Sequence, residues 1–321
     1  MRATPTKKHT VRGAALLMAL SLLAVFMLLG AAYVRTTALD IESVRFDLAR
    51  ASARATTEAG VQAALANLYE AQKNGSLLSF LGTPQTYQFP SFSTVKGEEG
   101  AFEERADRRA SAQVVVTDEN ARINLNAAPP SVLQRILKID AETARRIAKA
   151  RPEPGEAEVL PEHAWFRHPS DLLTRNLLTA EQWANVDTTL ITTYSGDPAD
   201  PSRATVNLNT ASPEVLAACL NVPVETVQPL LQRRTEKPFT SVEEAVATLS
   251  DIFNVAMGGR DPADVFTVSS SAVRITSAGS VAKRAGAGEY ARAHARAEYV
   301  VRLSDNPRQV TVLFAYLADG A

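Results

Sequence analysis

The most prominent pattern in the chain is a long uncharged segment near its start. No charged residue occurs from Gly13 to Val34, and the basic residues before this segment are Arg2, Lys7, Lys8 and Arg12. About 20 apolar residues are enough to cross a bilayer as a helix. Since basic residues favour the cytoplasmic side of a membrane, we expect residues 14–34 to span it with the N-terminus in the cytoplasm.

The helical pattern continues beyond the apolar segment. From Arg35 to about Lys73 there is no proline, and the only glycine is Gly60. Apolar residues recur in this stretch at steps of three and four, which places them on one helical face. They are Val44, Leu48, Ala51, Ala55 and Ala59. An unbroken spine helix from Ala14 to about Lys73 would be about 90 Å long.

A sequence motif occurs twice in the middle of the chain. Residues 123–133 and 206–216 are identical at seven of eleven positions. The asparagines that both copies share are Asn124, Asn126, Asn207 and Asn209. In the second copy, Ser212 is a natural N-cap and Pro213 a natural first helical residue. The duplication predicts an inserted all-α domain over residues 122–262, with two helical repeats at about 122–195 and 205–258.

These repeats resemble helix-hairpin-helix or SAM-like modules. Modules of this kind that bind DNA need a glycine-rich hairpin whose backbone amides approach a phosphate closely. The corresponding segments, residues 137–140 and 220–223, contain no glycine. We therefore predict that the repeats contact protein and that nucleic-acid binding is unlikely.

Extended segments on both sides of the inserted domain predict a sheet. The candidate strands are Ala112 to Thr117 before the domain, and Asp264 to Ser269, Ala272 to Val281, Ala291 to Leu303 and Val310 to Tyr316 after it. In the segment from Ala291 to Leu303 the odd positions are apolar, which predicts one buried and one solvated face. We predict an α+β fold: a spine helix and first strands in residues 35–121, and a C-terminal antiparallel β-meander in residues 263–321.

Composition gives no sign of catalysis. The net charge of −1 provides no general field for nucleic acid or an anionic surface. The single cysteine, Cys219, aligns with Ile136 of the other repeat, so we expect a small core residue. His163 and His168 are five residues apart, which does not place two metal ligands on one helical face. No phosphate loop, nucleophile elbow or zinc-protease motif is present, so we predict no enzymatic activity.

The sequence does not identify the ligands of a metal site. Acidic residues in loops are potential calcium ligands, although most acidic loops are simply solvated. They are Asp197, Asp200, Asp251, Asp261 and Asp264. We expect no cofactor, and the ligands of any calcium ion are unknown.

The start of the apolar segment resembles the leader of the type IV pilin and pseudopilin superfamily. In that superfamily a prepilin peptidase cuts after a glycine placed as Gly13 is here. The resemblance implies a basic leader of residues 1–13, a mature chain that begins at Ala14, and a retained helix that assembles through its first turns, including Leu16, Leu17 and Met18. Met18 stands where the family normally has a glutamate.

Absence of that glutamate, together with the order of spine, strands, inserted helices and meander, resembles the K minor pseudopilins of type II secretion systems. The resemblance implies a non-enzymatic single-pass protein of the bacterial inner membrane with a periplasmic head. Its role would be to cap or initiate a periplasmic pseudopilus that exports folded proteins. The implied partners are I- and J-type minor pseudopilins, the prepilin peptidase and the inner-membrane secretion platform.

Other interpretations remain open at this point. Gly30 and Ala32 have the spacing of an ordinary signal-peptidase site, with cleavage after Ala32. A plain signal anchor also fits the apolar segment. The repeats leave a membrane-tethered DNA receptor of a competence system as the main alternative function, and a minor pilin of a type IV pilus as another.

Overall fold

A computed structural model of the protein describes residues 10–90, 92–94, 102–104, 108–152, 164–197, 199–257, 260–285, 288–304 and 311–319. The helices are α1 (Thr10–Lys73), α2 (Leu77–Phe80), α3 (Pro130–Leu137), α4 (Ala141–Lys149), α5 (Asp171–Thr174), α6 (Ala180–Ala184), α7 (Pro213–Leu220), α8 (Gln228–Glu236), α9 (Val242–Thr248) and α10 (Ser250–Met257). The strands are β1 (Gln85–Phe89), β2 (Phe92–Thr94), β3 (Phe102–Glu104), β4 (Arg108–Asp118), β5 (Ile123–Asn124), β6 (Ile191–Thr192), β7 (Val206–Asn207), β8 (Phe266–Thr267), β9 (Ala272–Ala285), β10 (Gly288–Arg302) and β11 (Thr311–Asp319).

Helix α1 is the spine of the molecule. It is a single helix of 64 residues, which confirms the predicted unbroken spine. At about 1.5 Å per residue its length is about 96 Å. From Ala15 onward α1 is long and apolar enough to cross a membrane, and its most apolar part is not buried inside the protein. The helix ends at Lys73, and Gly75 takes the left-handed conformation, with φ of 68°, that turns the chain toward α2.

The face of α1 that packs on the head differs from the apolar row that the sequence indicates. Ala51 and Ala55 of that row are exposed. The buried residues are Ala53, Thr56, Thr57, Gly60, Val61, Ala64, Leu68 and Ala71. This face is mostly made of small side chains, so hydropathy alone does not identify it, yet small residues allow the helix axis to approach the sheet closely.

The head is built on a five-stranded antiparallel sheet with the strand order β1-β4-β9-β10-β11. Its helix-facing side packs Val114 and Ile275 against Val61 and Leu68 of α1. Strands β9, β10 and β11 form the predicted meander, and on β10 Ala293, Ala295 and Ala297 are buried while His294 and Arg296 are exposed. The α+β class with a long helix on an antiparallel sheet is therefore confirmed.

A close contact fixes α1 on the sheet. The Thr57 hydroxyl accepts from Gly279 N at 3.1 Å and shares its proton between Ala53 O of α1, at 2.8 Å, and Ala295 O of β10, at 3.2 Å. Ser277 Oγ donates to Thr57 O at 2.9 Å. A Cβ atom on Gly279 would lie 2.2 Å from Thr57 Oγ1, and one on Gly60 would lie 2.6 Å from Ala112 Cβ. Both glycines are therefore required by the close approach of helix and sheet, and we name this set of contacts the Thr57 seam.

The inserted domain contains two similar units. The first runs from β5 through α3 to α6 and ends at β6, and the second runs from β7 through α7 to α10 and ends at β8. In each unit the first and last strands form a short parallel pair, β5 with β6 and β7 with β8. The prediction of an all-α domain is therefore wrong in this respect, because the extended motif residues need partners for their backbone groups.

The second unit extends further than the sequence indicates. Strand β8 covers only Phe266–Thr267 of the candidate strand Asp264–Ser269, and it pairs with β7 instead of joining the meander. Asp261 caps a 3₁₀ turn at Pro262–Asp264 just before β8, and this turn limits the strand at its start. The helical domain thus continues past residue 258, and the sheet resumes only at Ala272.

Candidate assembly surface

The residues predicted for processing and assembly lie at the start of α1. Gly13 and Ala14 are both helical, and Leu16, Leu17 and Met18 are exposed, Met18 at 66%. The first turn of the helix has no acidic residue. Cleavage after Gly13 stays a prediction, while the exposure of Leu16 to Met18 makes these side chains available to lipid or to another helix.

The exposed apolar surface of α1 continues past the segment expected in the membrane. It includes Leu39, Ile41, Val44, Phe46 and Leu48. Acidic and basic residues, among them Asp40 and Arg45, are interspersed with these side chains, so this stretch is amphiphilic rather than lipid-like. Exposed apolar side chains on this stretch are available for contact with another protein.

A turn of three polar residues, Asp118 to Asn120, joins the sheet to both helical units. The Asp118 carboxylate accepts from Asn207 Nδ2 at 2.8 Å and Thr210 Oγ1 at 2.6 Å, both in the second unit. Asn120 donates to Thr205 O at 3.0 Å and accepts from the Ser271 amide at 2.8 Å. Burial raises the pKa of Asp118, and its hydrogen bonds only partly offset this. We name residues 118–120 the junction turn.

Glu119 attaches the first unit to the sheet. Its side chain is fully buried, accepts from the Thr192 hydroxyl of β6, and pairs with Arg274 of β9 at 2.6 Å and with Arg122 at 3.4 Å. Arg274 also pairs with Glu298 of β10. Burial lowers the pKa of Arg274, but the hydrogen bond and charge of Glu119 raise it overall. For Arg122 the charge of Glu119 does not outweigh burial, so the pKa of Arg122 is lowered.

The repeat asparagines make equivalent hydrogen bonds in the two units. Asn126 donates to Phe166 O and accepts from Phe166 N, at 2.9 and 2.8 Å. Asn209 makes the same pair of bonds with Phe239, both at 2.9 Å. Asn124 and Asn207 each accept from the amide two residues later, at 2.8 and 3.0 Å. Asn124, Asn126 and Asn209 therefore close the units internally, and Asn207 also binds Asp118 of the junction turn.

A partly buried arginine completes each unit, and the sequence reasoning missed both. Arg151 donates to Leu125 O and Ala128 O, at 2.9 and 3.0 Å. Arg234, 83 residues later, makes equivalent bonds to the carbonyls of residues 208 and 211, at 2.9 and 2.7 Å. Burial lowers the pKa of Arg151 to about 10 and also lowers that of Arg234. Extending the repeat offset beyond the identical segment would have identified this pair.

An aromatic contact holds the first unit against the edge of the sheet. Phe314 of β11 stacks on His168, with ring centroids 5.5 Å apart, and lies 5.9 Å from the ring of Tyr194. Burial raises the pKa of Tyr194 to about 12. His168 therefore has a packing role, and His163 lies outside the described residues.

The other candidate residues show no metal or nucleophile site within the described part of the chain. No group of three or more potential metal ligands occurs among those residues. Asp200 pairs with Arg203 at 2.9 Å, and Asp197 and Asp261 accept from nearby backbone amides. Cys219 is buried in the core of the second unit, and burial raises its thiol pKa to about 12, so a reactive thiolate is disfavoured.

The two hairpin segments, residues 137–140 and 220–223, which correspond to the phosphate-binding hairpins of DNA-binding modules, lie beside each other. Lys138 and Asn221 end α3 and α7 in the left-handed conformation, with φ of 54° and 58°. Arg135 Nη1 of the first unit donates to Val222 O of the second hairpin at 3.1 Å. Contact between the units thus already uses part of the hairpin backbone.

Comparison with known proteins supports the resemblance to secretion subunits. Residues 206–259, from β7 through α10, match the family described as type II secretion system (T2SS), protein K. This match agrees with the predicted resemblance to the K minor pseudopilins over that part of the chain. A crystal structure of the GspK-GspI-GspJ complex from the enterotoxigenic Escherichia coli type 2 secretion system is similar in 83% of this chain and 100% of that chain, with 16% identity and a TM-score of 0.47. None of the curated proteins matches the sequence.

Proposed function

We propose that this protein acts as the K minor pseudopilin of a type II secretion system. The observation that carries the proposal is the match of residues 206–259 to the protein K family. In this role the protein is mechanical and not catalytic, and it needs no cofactor. Its companions are I- and J-type minor pseudopilins, with which it initiates and caps a periplasmic pseudopilus that helps to export folded proteins.

The proposed topology places one membrane helix in the inner membrane. The basic leader stays in the cytoplasm, residues 14–34 cross the bilayer, and the remaining spine and head lie in the periplasm. The prepilin peptidase removes residues 1–13, and the secretion platform in the inner membrane receives the mature helix. The exposed apolar residues of α1 from Leu39 to Leu48 then pack on the spines of the companions.

The position at the fibre tip follows from Met18. In a shaft subunit, a carboxylate near the mature N-terminus has a neighbouring amine as its partner, and an unpaired carboxylate in the bilayer costs several kcal/mol. A subunit with Met18 avoids this cost where no neighbour is added. The broad helical domain above the sheet would also obstruct regular stacking along a narrow shaft.

Labelling of intact fibres tests the tip position. A tag on the exposed residue Thr188 of the helical domain should appear at one fibre end only, in fibres that retain normal secretion. A matched tag on the major pseudopilin should label the whole shaft. Regular labelling of the shaft through Thr188 would contradict the capping role.

Processing is tested at the first residues. The mature protein isolated from membranes should begin at Ala14, and Gly13→Leu should leave the precursor uncut. Ala15→Leu, which introduces the same side chain two residues later, serves as the control and should be processed. A soluble product that starts at Tyr33 would instead show an ordinary secretory signal.

A nucleic-acid binding assay distinguishes the proposed function from its main alternative, a membrane-tethered DNA receptor. The full chain in detergent should not bind duplex DNA at low salt, where contacts to phosphate are strongest. Micromolar binding that weakens steeply with salt and is lost in Lys138→Glu would favour a DNA receptor.

A further inference from the structure

The outer edge of the sheet at β11 has backbone groups without a partner strand. β11 pairs with β10 on one side, and in the described part of the chain no strand pairs with its other side. In an antiparallel pair, alternate residues direct their N–H and C=O groups away from the partner. Such an edge is a template for another strand.

The side chains of β11 do not protect this edge. No charged residue or proline occurs from Thr311 to Ala318. Val312 is 51% exposed, Tyr316 57% and Leu317 36%. The pairing register with β10 skips Leu313, so a bulge interrupts the start of the strand, whereas Phe314 to Asp319 pair without interruption. The available edge is therefore regular over that second part.

This part of β11 is also held in place before any partner arrives. Its Phe314 packs on His168 and Tyr194 of the first helical unit. On the other side, β10 pairs with it up to Asp319. A strand that is already ordered loses less conformational entropy when it binds a partner.

The opposite edge of the sheet is chemically different. β1 contains the polar residues Gln85, Thr86 and Gln88, and its Tyr87 hydroxyl accepts from Asn67 of α1 at 2.8 Å. It offers little apolar surface to match Val312, Tyr316 and Leu317. Head-to-tail addition of β1 from a second copy would therefore pair unlike edges.

The direction of α1 disfavours a symmetric pair of β11 strands from two copies. Antiparallel pairing of β11 with itself needs a twofold axis perpendicular to the sheet. Because α1 lies along the sheet face, that axis would point the two spines in opposite directions. Two spines that enter one membrane from the same side cannot take this arrangement.

We propose that the outer edge of β11, from Phe314 to Asp319, receives a strand of a companion minor pseudopilin as the sixth strand of the sheet. The inference rests on the proposed function, since the companion has a spine that enters the membrane beside α1 in the same direction. Backbone hydrogen bonds supply the pairing, and Tyr316 and Leu317 provide apolar contacts on the two faces of the added strand.

Hydrogen exchange tests the backbone contact. The full chain in detergent is measured alone and after mixing with the full-length I- and J-type companions. Alternate amides from Phe314 to Asp319 should exchange at least tenfold more slowly in the complex, and the amides of β1 should be unchanged. A complex that forms while β11 exchanges as in the free chain overturns the strand addition and leaves the proposed function intact. Failure to form any complex contradicts the proposed function itself.

A matched pair of variants tests the side chains. Tyr316→Lys should weaken the complex at least tenfold, whereas Val224→Lys, at an exposed valine of the helical domain, should assemble as the unchanged chain does. An unchanged thermal midpoint confirms that both variants are folded. Equal assembly of the two variants would contradict the proposal. So would concentration-dependent fibres of the chain alone that Tyr316→Lys abolishes, because a second copy would then be the occupant.

Discussion

The two helical units are closed in the same way but attached to the sheet differently. In both, an asparagine binds a phenylalanine backbone and an arginine binds two carbonyls. The first unit is attached through the charged network around Glu119, and the second through Asp118, which accepts from neutral side chains. The internal closure follows from the repeated sequence, whereas each attachment depends on what the sheet presents to that unit.

The difference predicts unequal sensitivity to substitution. A buried ion pair that loses one member leaves an uncompensated charge, while a buried hydrogen bond that loses a neutral partner leaves only an unsatisfied polar group. The first attachment should therefore be the more fragile of the two.

The largest expected effect is at Glu119. Glu119→Ala removes a partner of Arg122 and one of the two partners of Arg274, which keeps Glu298, and should reduce the free energy of unfolding by about 3–5 kcal/mol. Urea unfolding of the full chain in detergent measures this. Asp200→Ala, which breaks the exposed pair with Arg203, is the control and should cost about 0–1 kcal/mol. Equal losses would contradict the expectation that the buried network around Glu119 holds the first unit on the sheet.

The closure of the two units can be compared directly. Asn126→Ala leaves the Phe166 N–H and C=O without partners in a buried site and should cost about 3 kcal/mol. Asn209→Ala removes the same bonds from a partly exposed site, where water replaces them, and should cost about 1–2 kcal/mol. Amide exchange at Phe166 and Phe239 should accelerate only in the matching variant, and acceleration at both would show that the units do not close independently.

The attachment of the second unit through Asp118 should make the stability of the protein depend on pH. Burial raises the folded-state pKa of Asp118 above 3.8, so between pH 3.8 and that raised value the folded state binds the proton more tightly than the unfolded state. The resulting stabilisation is fully present below pH 3.8 and is lost as pH rises through the folded-state pKa. Compared with Asp118→Asn, the unchanged protein should therefore gain stability as pH falls from 7 to 4. Parallel unfolding free energies for the two proteins across this range would contradict the prediction.

The smallest effects are expected at the hairpins. Lys138 has a left-handed backbone that disfavours most side chains, so Lys138→Gly should stabilise the first unit by about 0.5–1 kcal/mol. Asn221 has the same conformation but tolerates it better, and Asn221→Gly should change stability by only about 0–0.3 kcal/mol. Thermal unfolding of the two variants ranks them, and a larger gain at Asn221 would contradict this reasoning.

The elements that could be predicted from sequence are those with local or periodic signals. The spine has no interior proline, β10 alternates between buried and exposed residues, and the motif at Asn124 and Asn207 recurs with seven of eleven residues identical. Each of these properties can be read from the residues of the element itself or from a direct comparison of two segments.

The attachments could not be predicted, because their partners are distant in sequence. The side chains that bind the junction turn include Thr192, Asn207 and Thr210, which are separated from Glu119 or Asp118 by 73, 89 and 92 residues. In the sequence, residues 118–120 appear only as a polar turn after a valine-rich strand. Their one local signal is their position immediately before the repeated motif.

The Thr57 seam also has a mechanical consequence. The Thr57 hydroxyl engages the backbone of both β9 and β10, and Gly279 leaves no space for α1 to slide or turn over the sheet. A rotation of α1 about its own axis at this seam would therefore carry the sheet with it. The Thr57 seam thus couples an axial torque on α1 to the sheet.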